Sequence, residues 1–239
     1  MLGQAQQVHA ALKGASDPQP LHLAEQLAEF IPLVEQVIGQ ATQRVLEEQS
    51  IPADAKVVSL FEPHTQILRR GKAPPRDTEF GHKVNYAEVD GGFVSDWQVI
   101  AQGNPSDADL LPTVLHQHYQ RFGHAPNLLA ADRGAFSPEN ERLAHHLGIQ
   151  TIAIPQRGIP SKERKAQERS PAFRKGQRFR NGIEGRISVL NRTVQLRQCP
   201  LHGMAGFERW IGWGVIVANL SKFAQRIIKR RHRKRQGHK

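Results

Sequence analysis

The sequence predicts an α/β fold built on a mixed sheet. Three observations carry that expectation. Residues 82–89 and 93–100 are strand-like and flank Asp90-Gly-Gly92, a strong hairpin signal. Asn127–Ala131 and Ile149–Ile154 are short, continuous apolar runs, as expected of strands buried on both faces. Helical patterns lie between them, so the middle of the chain reads β-β-α-β-α-β, an antiparallel hairpin followed by parallel crossovers.

Residues 1–50 are expected to be helical. Val8, Ala11 and Leu12 mark a short first helix, and Asp17-Pro-Gln-Pro20 breaks it. An amphipathic pattern then runs from Leu23 to Val45, with Pro32 as a break or kink. Its simplest role is packing or dimerisation. Lys56–Phe61 reads as a strand, and 62–76 as a basic loop. Within the hairpin, Asp90 is a turn residue and Asp96 is expected to be exposed.

Ser106 or Asp107 can cap a helix over 109–121, which Phe122-Gly123 ends. Asp132 follows the first apolar run. Ser137 as N-cap, Pro138 at the first helical position and Asn140 at the third open a helix to Leu147-Gly148. Residues 156–182 read as a mobile basic loop with a short helix at 161–168. Arg178–Arg192 is expected to be helical through Ile183, Ile187 and Leu190, with Glu184 among Arg180, Arg186 and Arg192. A last apolar helix spans 207–227, where Trp210 and Trp213 are read as core residues. The basic run 229–239 is expected to be a disordered tail that adds phosphate affinity without sequence specificity.

Thirty-three Lys and Arg face 22 Asp and Glu, for a net charge of +11 and a pI near 10.3. That balance points to a polyanionic partner. No apolar run reaches the roughly 18–20 residues that cross a bilayer, so no membrane span is expected. The first seven residues lack the features of a leader. The single Cys199 excludes an internal disulfide framework and a four-cysteine zinc site, and fits a reducing cytoplasm. The twelve histidines show no zinc spacing.

Two acids stand out. Asp132 lies at the carboxyl end of a predicted buried strand, where ligands gather in open α/β sheets. Its plain alternative is a cap of the following loop. Glu184 lies on a helix in a basic field, and its plain alternative is a surface ion pair. Together they can offer hard oxygens to a divalent metal.

With these residues placed, the chain resembles the carboxyl-terminal part of a DDE-type insertion-sequence transposase with an RNase H-like fold. The matching stretches are Lys56-Val-Val-Ser-Leu-Phe-Glu-Pro-His-Thr65, Glu79-Phe-Gly-His-Lys83, Gly103-Asn-Pro105, Ala131-Asp-Arg-Gly134, Gly182-Ile-Glu-Gly-Arg-Ile-Ser188 and Trp213-Gly-Val-Ile-Val-Ala-Asn-Leu220. They are strong together and weak singly. The resemblance implies metal-dependent DNA cleavage and strand transfer, with Mg²⁺ or Mn²⁺ on Asp132 and Glu184 as second and third acids. It implies double-stranded DNA as partner, a homodimer, and a cytoplasmic, nucleoid-associated location. Arg133, Arg157, Lys162, Arg174, Lys175, Arg178, Arg180, Arg186 and Arg192 are then the candidate phosphate contacts.

The family's first acid lies on a first strand, upstream of a helical insertion. Residues 1–50 are read as that insertion, 51–228 as a partial RNase H-like core and 229–239 as the tail. No Asp-bearing first strand is found before residue 50. Glu62, Asp90, Asp96 and Asp107 are not favoured as substitutes. The expectation is therefore a truncated copy that binds metal weakly and cuts DNA poorly. The alternative is a non-catalytic basic DNA-binding protein.

Overall fold

A computed structural model describes residues 1–69, 78–101 and 103–236. The chain is a mixed α/β protein of two compact units, residues 1–83 with 101–103, and residues 84–100 with 104–239.

In the first unit, α1 (Leu2–Leu12) and α2 (Pro18–Val45) pack against each other. Asp17 caps α2 by accepting from the Gln19 amide at 3.1 Å. Pro32 lies inside α2, which runs through it as one helix. The 3₁₀ turn Ala53–Ala55 is tied to α2 by Gln36 and Gln40, which donate to the Ala55 carbonyl at 3.0 and 3.2 Å.

The expected strand at 56–61 does not form. Ser59 Oγ instead accepts from the Glu62 amide at 3.0 Å, and the Thr65 amide bonds back to the Glu62 carbonyl at 2.9 Å. These local bonds turn the chain, and a strand without a ladder partner has nothing to hold it. The strand forms one step later: β1 (Gln66–Arg69) pairs antiparallel with β2 (Thr78–Gly81), Gln66 opposite Gly81. The loop expected over 70–76 lies outside the described residues.

The second unit has the expected order. β3 (Lys83–Val89) and β4 (Phe93–Ile100) form the hairpin. Then come α3 (Asp107–Phe122), β5 (Leu128–Ala130), a 3₁₀ turn at Arg133–Ala135, α4 (Pro138–His146) and β6 (Thr151–Ala153). β5 and β6 are parallel, with Leu129 opposite Ile152, and α4 makes the crossover. Both are only three residues long. The described strands pair two by two, where the apolar runs had suggested one mixed sheet. β5 is also half-buried along its length, less than a strand covered on both faces.

Capping is as the residue types dictate. Ser106, and not Asp107, caps α3, and Asp109 completes a capping box. Ser137 accepts from the Asn140 amide, with Pro138 at the first helical position. Asp96 is not exposed: its carboxylate meets Arg121 at 2.9 Å and keeps little open surface.

The segment expected to be a mobile loop is mostly helix. α5 (Lys162–Glu168) is capped by Ser161, and α6 (Pro171–Thr193) by Ser170 with Pro171 behind it. This is the Ser-Pro start already seen at 137–138, here masked by the density of Lys and Arg. Phe173 and Gly176 are buried and anchor the first turns of α6.

α7 (Gly203–Gln236) is far longer than the apolar pattern alone predicted, and the tail is helical through Gln236. Lys and Arg are good helix formers, and after Gly214 no Gly or Pro intervenes before Gly237. The tail's last three residues lie outside the described residues.

Two cores result. One gathers Leu111, Leu115, Ala144, Ile149, Ile152 and Ile154 between α3, α4 and the β5–β6 pair. The other joins Val94 of the hairpin, Leu190 of α6, and Ile211, Val215 and Ala218 of α7. α6 lies on the β5–β6 pair, where Gly176 meets Ala153 and Leu128, and it joins the second core through Leu190. Its middle turns carry Arg180, Glu184 and Arg186. Asn219 fastens α7 to the hairpin, exchanging two 2.9 Å bonds with the Val94 backbone.

Candidate functional site

The site is built where the parallel strands end. Asp132 follows β5 in extended conformation, and its Oδ1 accepts from the Gly134 amide at 2.7 Å. The capping role is therefore real, but it uses one oxygen. Oδ2 faces Arg180 Nη2 at 3.5 Å. The other terminal nitrogen of the same guanidinium, Nη1, bonds Glu184 Oε1 at 2.8 Å. One arginine thus joins the two predicted acids, with both carboxylates substantially exposed.

Close packing puts α6 there. A Cβ on Gly176 would stand 2.4 Å from Ala153 Cβ and 3.1 Å from Leu128 Cδ1, so only glycine lets the helix lie this near the strands. One residue later, Gln177 Nε2 donates to the Ala131 carbonyl at 3.0 Å and also to the Ala153 carbonyl. The carboxyl ends of both strands are thereby tied to the helix that carries Arg180 and Glu184. Neither Gly176 nor Gln177 was singled out by sequence, because a helical Gly or Gln has no pattern of its own. Their partners come from elsewhere in the chain.

The loop after Asp132 is held from two sides. Arg157 donates to the Arg133 carbonyl at 3.1 Å and to the Gly134 carbonyl at 2.7 Å. Buried Asn140 donates to the Ala108 and Ala135 carbonyls at 2.8 and 3.1 Å. A Cβ placed on Gly134 would lie 2.8 Å from Asp132 Oδ1 and 3.0 Å from Asp107 Oδ2. Asp107 therefore also approaches this backbone segment.

The predicted basic residues divide. Arg133, Lys162, Arg174, Lys175, Arg178 and Arg192 are exposed and suited to phosphate contact. Arg180 is occupied by the two acids, and Arg157 is spent on carbonyls. Arg186 is the clearest departure. Its side chain keeps only 11 % of its surface open, with Nε 3.7 Å from Glu88 Oε2. Burial raises the Glu88 carboxyl above its ordinary range, and Arg186 and Lys222 pull it back in part. Arg186 therefore braces the hairpin against α6 instead of facing solvent.

A second basic surface lies on α7. Arg226, Lys229, Arg230, Arg233 and Lys234 line a hollow of about 530 Å³. Arg226 also stacks over Phe93, 4.9 Å from the ring centre. The hairpin turn lies directly beneath: Gly91 and Gly92 have φ of +88° and +76°, and a Cβ at either would collide with Arg226 or Arg186. Where the sequence predicts a disordered tail, the helix brings these cations together on one face. The two tryptophans also part company. Trp210 packs on the second core, as expected, whereas Trp213 is 63 % exposed.

Among the described residues, no group of three or more His, Cys, Asp or Glu side chains could hold a metal ion. No described helix is long and apolar enough to cross a membrane. Comparison with family models, curated proteins and solved structures gave no match.

Proposed function

We propose that this chain is a double-stranded-DNA-binding protein of the DDE transposase type. Its core would be RNase H-like, and its capacity for phosphodiester cleavage and strand transfer is impaired. The observation that supports this is the convergence of Asp132, at the end of a parallel strand, and Glu184, on the helix over it, on one guanidinium within a strongly basic surface. Exposed cations on α6 and the cationic face of α7 supply phosphate contacts that do not depend on sequence.

Asp132 and Glu184 are the hard-oxygen donors that Mg²⁺ or Mn²⁺ prefers. When bound, such an ion stabilises the attacking and leaving oxygens of the phosphodiester. In this arrangement Arg180 pairs with one oxygen of each carboxylate and offsets part of their charge. A divalent ion on the pair would therefore compete with the guanidinium, and its binding would be weakened. Asp132 is further committed through Oδ1 to the Gly134 amide, which fixes its orientation. Arg157 and Gln177 hold the loop and the strand ends in place.

The test is incubation of the purified chain with labelled duplex carrying transposon ends, in Mg²⁺, in Mn²⁺ and in chelator. Binding is expected in all three, falling steeply with salt, with little cleavage. Efficient end cleavage abolished by Asp132→Ala would overturn the impairment. Absence of salt-sensitive binding would overturn the DNA reading. The double pairing of Arg180 also favours a second reading, a basic DNA-binding protein with no residual chemistry. In that case Arg180→Ala in Mn²⁺ leaves the duplex intact, whereas an impaired nuclease gains nicking.

A further inference from the structure

Helix α7 has two apolar faces. Ile211, Val215 and Ala218 are buried in the second core. On the opposite face Trp213, Ile216, Leu220, Phe223 and Ile227 recur at spacings of three and four, and all are exposed. Trp213 and Leu220 each leave 63 % of their surface open. This is an a/d seam over two heptads, the pattern two helices bury against each other. Val217 and Ile228, exposed as well, extend it into an apolar strip of the kind that marks an interaction surface.

We propose that this seam is a contact between two copies of the chain, crossing antiparallel about Leu220. The spacing reads nearly the same in both directions from that residue. Ile216 and Phe223 stand four and three positions away, and Trp213 and Ile227 stand seven. Antiparallel pairing sets Trp213 against Ile227 of the partner subunit, Ile216 against Phe223 of the partner subunit, and Leu220 on the twofold axis. That is a self-complementary, closed contact.

Charge selects the orientation. From Lys229 to Arg235 the chain carries six Lys and Arg and no acid. A parallel pair would bring these runs side by side, and like charges repel. The antiparallel pair sends them to opposite ends. At 1.5 Å rise per residue their centres lie about 36 Å apart, close to one turn of duplex. Only this last consequence rests on the DNA reading above.

Sedimentation of the full chain in high salt, which strips nucleic acid, is expected to show a dimer. Leu220→Glu is expected to give a monomer with unchanged helical circular dichroism, and Phe223→Lys, also at an exposed position, serves if that variant does not fold. In a Cys199→Ser background, Leu220→Cys is expected to cross-link two chains on oxidation, and Trp213→Cys is not. The proposal is overturned by a monomeric parent chain or by a dimer that both charge substitutions leave intact. It is equally overturned by cross-linking through Trp213→Cys in place of Leu220→Cys. No DNA enters these measurements, so their outcome is separable from that of the cleavage assay.

Discussion

At Arg180 a single guanidinium faces Asp132 Oδ2 at 3.5 Å and Glu184 Oε1 at 2.8 Å. Both acids are well solvated, so each pairing is of the modest kind, about 1 kcal/mol at most. Arg180→Ala should remove that competition and tighten Mn²⁺ binding about fivefold by calorimetry, the equivalent of ~1 kcal/mol. Unchanged affinity would mean the carboxylates do not share a cation site. A second residue reports on folding. His118 Nε2 is buried without a hydrogen-bond partner, and its ring lies 4.6 Å from that of Phe122. Burial, then His124 and Arg121, hold its pKa below the ordinary value. In the window between the ordinary value, ~6.5, and the lower folded one, the unfolded chain binds more protons. Stability from this group is therefore complete above about pH 6.5 and is lost as pH falls through the folded value. His118→Phe should flatten the thermal midpoint across that window.

At the scale of elements, α6 is placed by a helix–strand contact that tolerates no side chain. Gly176→Ala brings a methyl to within 2.4 Å of Ala153 Cβ. Overpacking of this kind costs about 2 kcal/mol, read as a lower thermal midpoint. Adding Ala153→Gly should recover part of the loss, because it removes the atom that is struck. The end of β6 is secured by a different device. Buried Arg164 donates to the Ile154 carbonyl at 2.7 Å, pairs with Glu141 and Glu168, and lies over Phe136. Those two acids hold its guanidinium even more firmly protonated than usual, against the opposing pull of burial. Arg164→Ala would leave Glu141 and Glu168 half-buried without their partner, at a cost of about 3 kcal/mol. Thermal unfolding that matches the parent would show the network to be dispensable.

Over the whole molecule, a net charge of +11 is spread unevenly. The exposed cations of α6 and the face of α7 lie in the same compact unit as Asp132 and Glu184. Each phosphate neutralised contributes roughly 0.9 to the slope of log affinity against log salt. Lys229→Gln with Arg233→Gln should reduce that slope by about 2 and weaken binding to all duplex sequences alike. A slope left unchanged would remove α7 from the DNA surface.

How much of this was legible beforehand depended on range. The hairpin at 83–100, the α3–β5–α4–β6 order, the caps at Ser106 and Ser137, and Asp132 at a strand end follow from neighbours within a few residues. Local propensity and capping decide such features, and they were readable from the sequence alone. So was the expectation that Glu184 sits on a helix among arginines. The rest required partners distant in the chain. That Arg180 spans both acids, that Arg186 turns inward to Glu88, and that Gly176 seats α6 on Ala153 depend on contacts between segments far apart in sequence. No window of residues contains them. The basic run of α7 lay between these cases. Its composition was plain, but whether it coiled or extended was settled by helix continuation from the packed segment before it. Only that continuation aligned its cations on one face and its apolar seam on another.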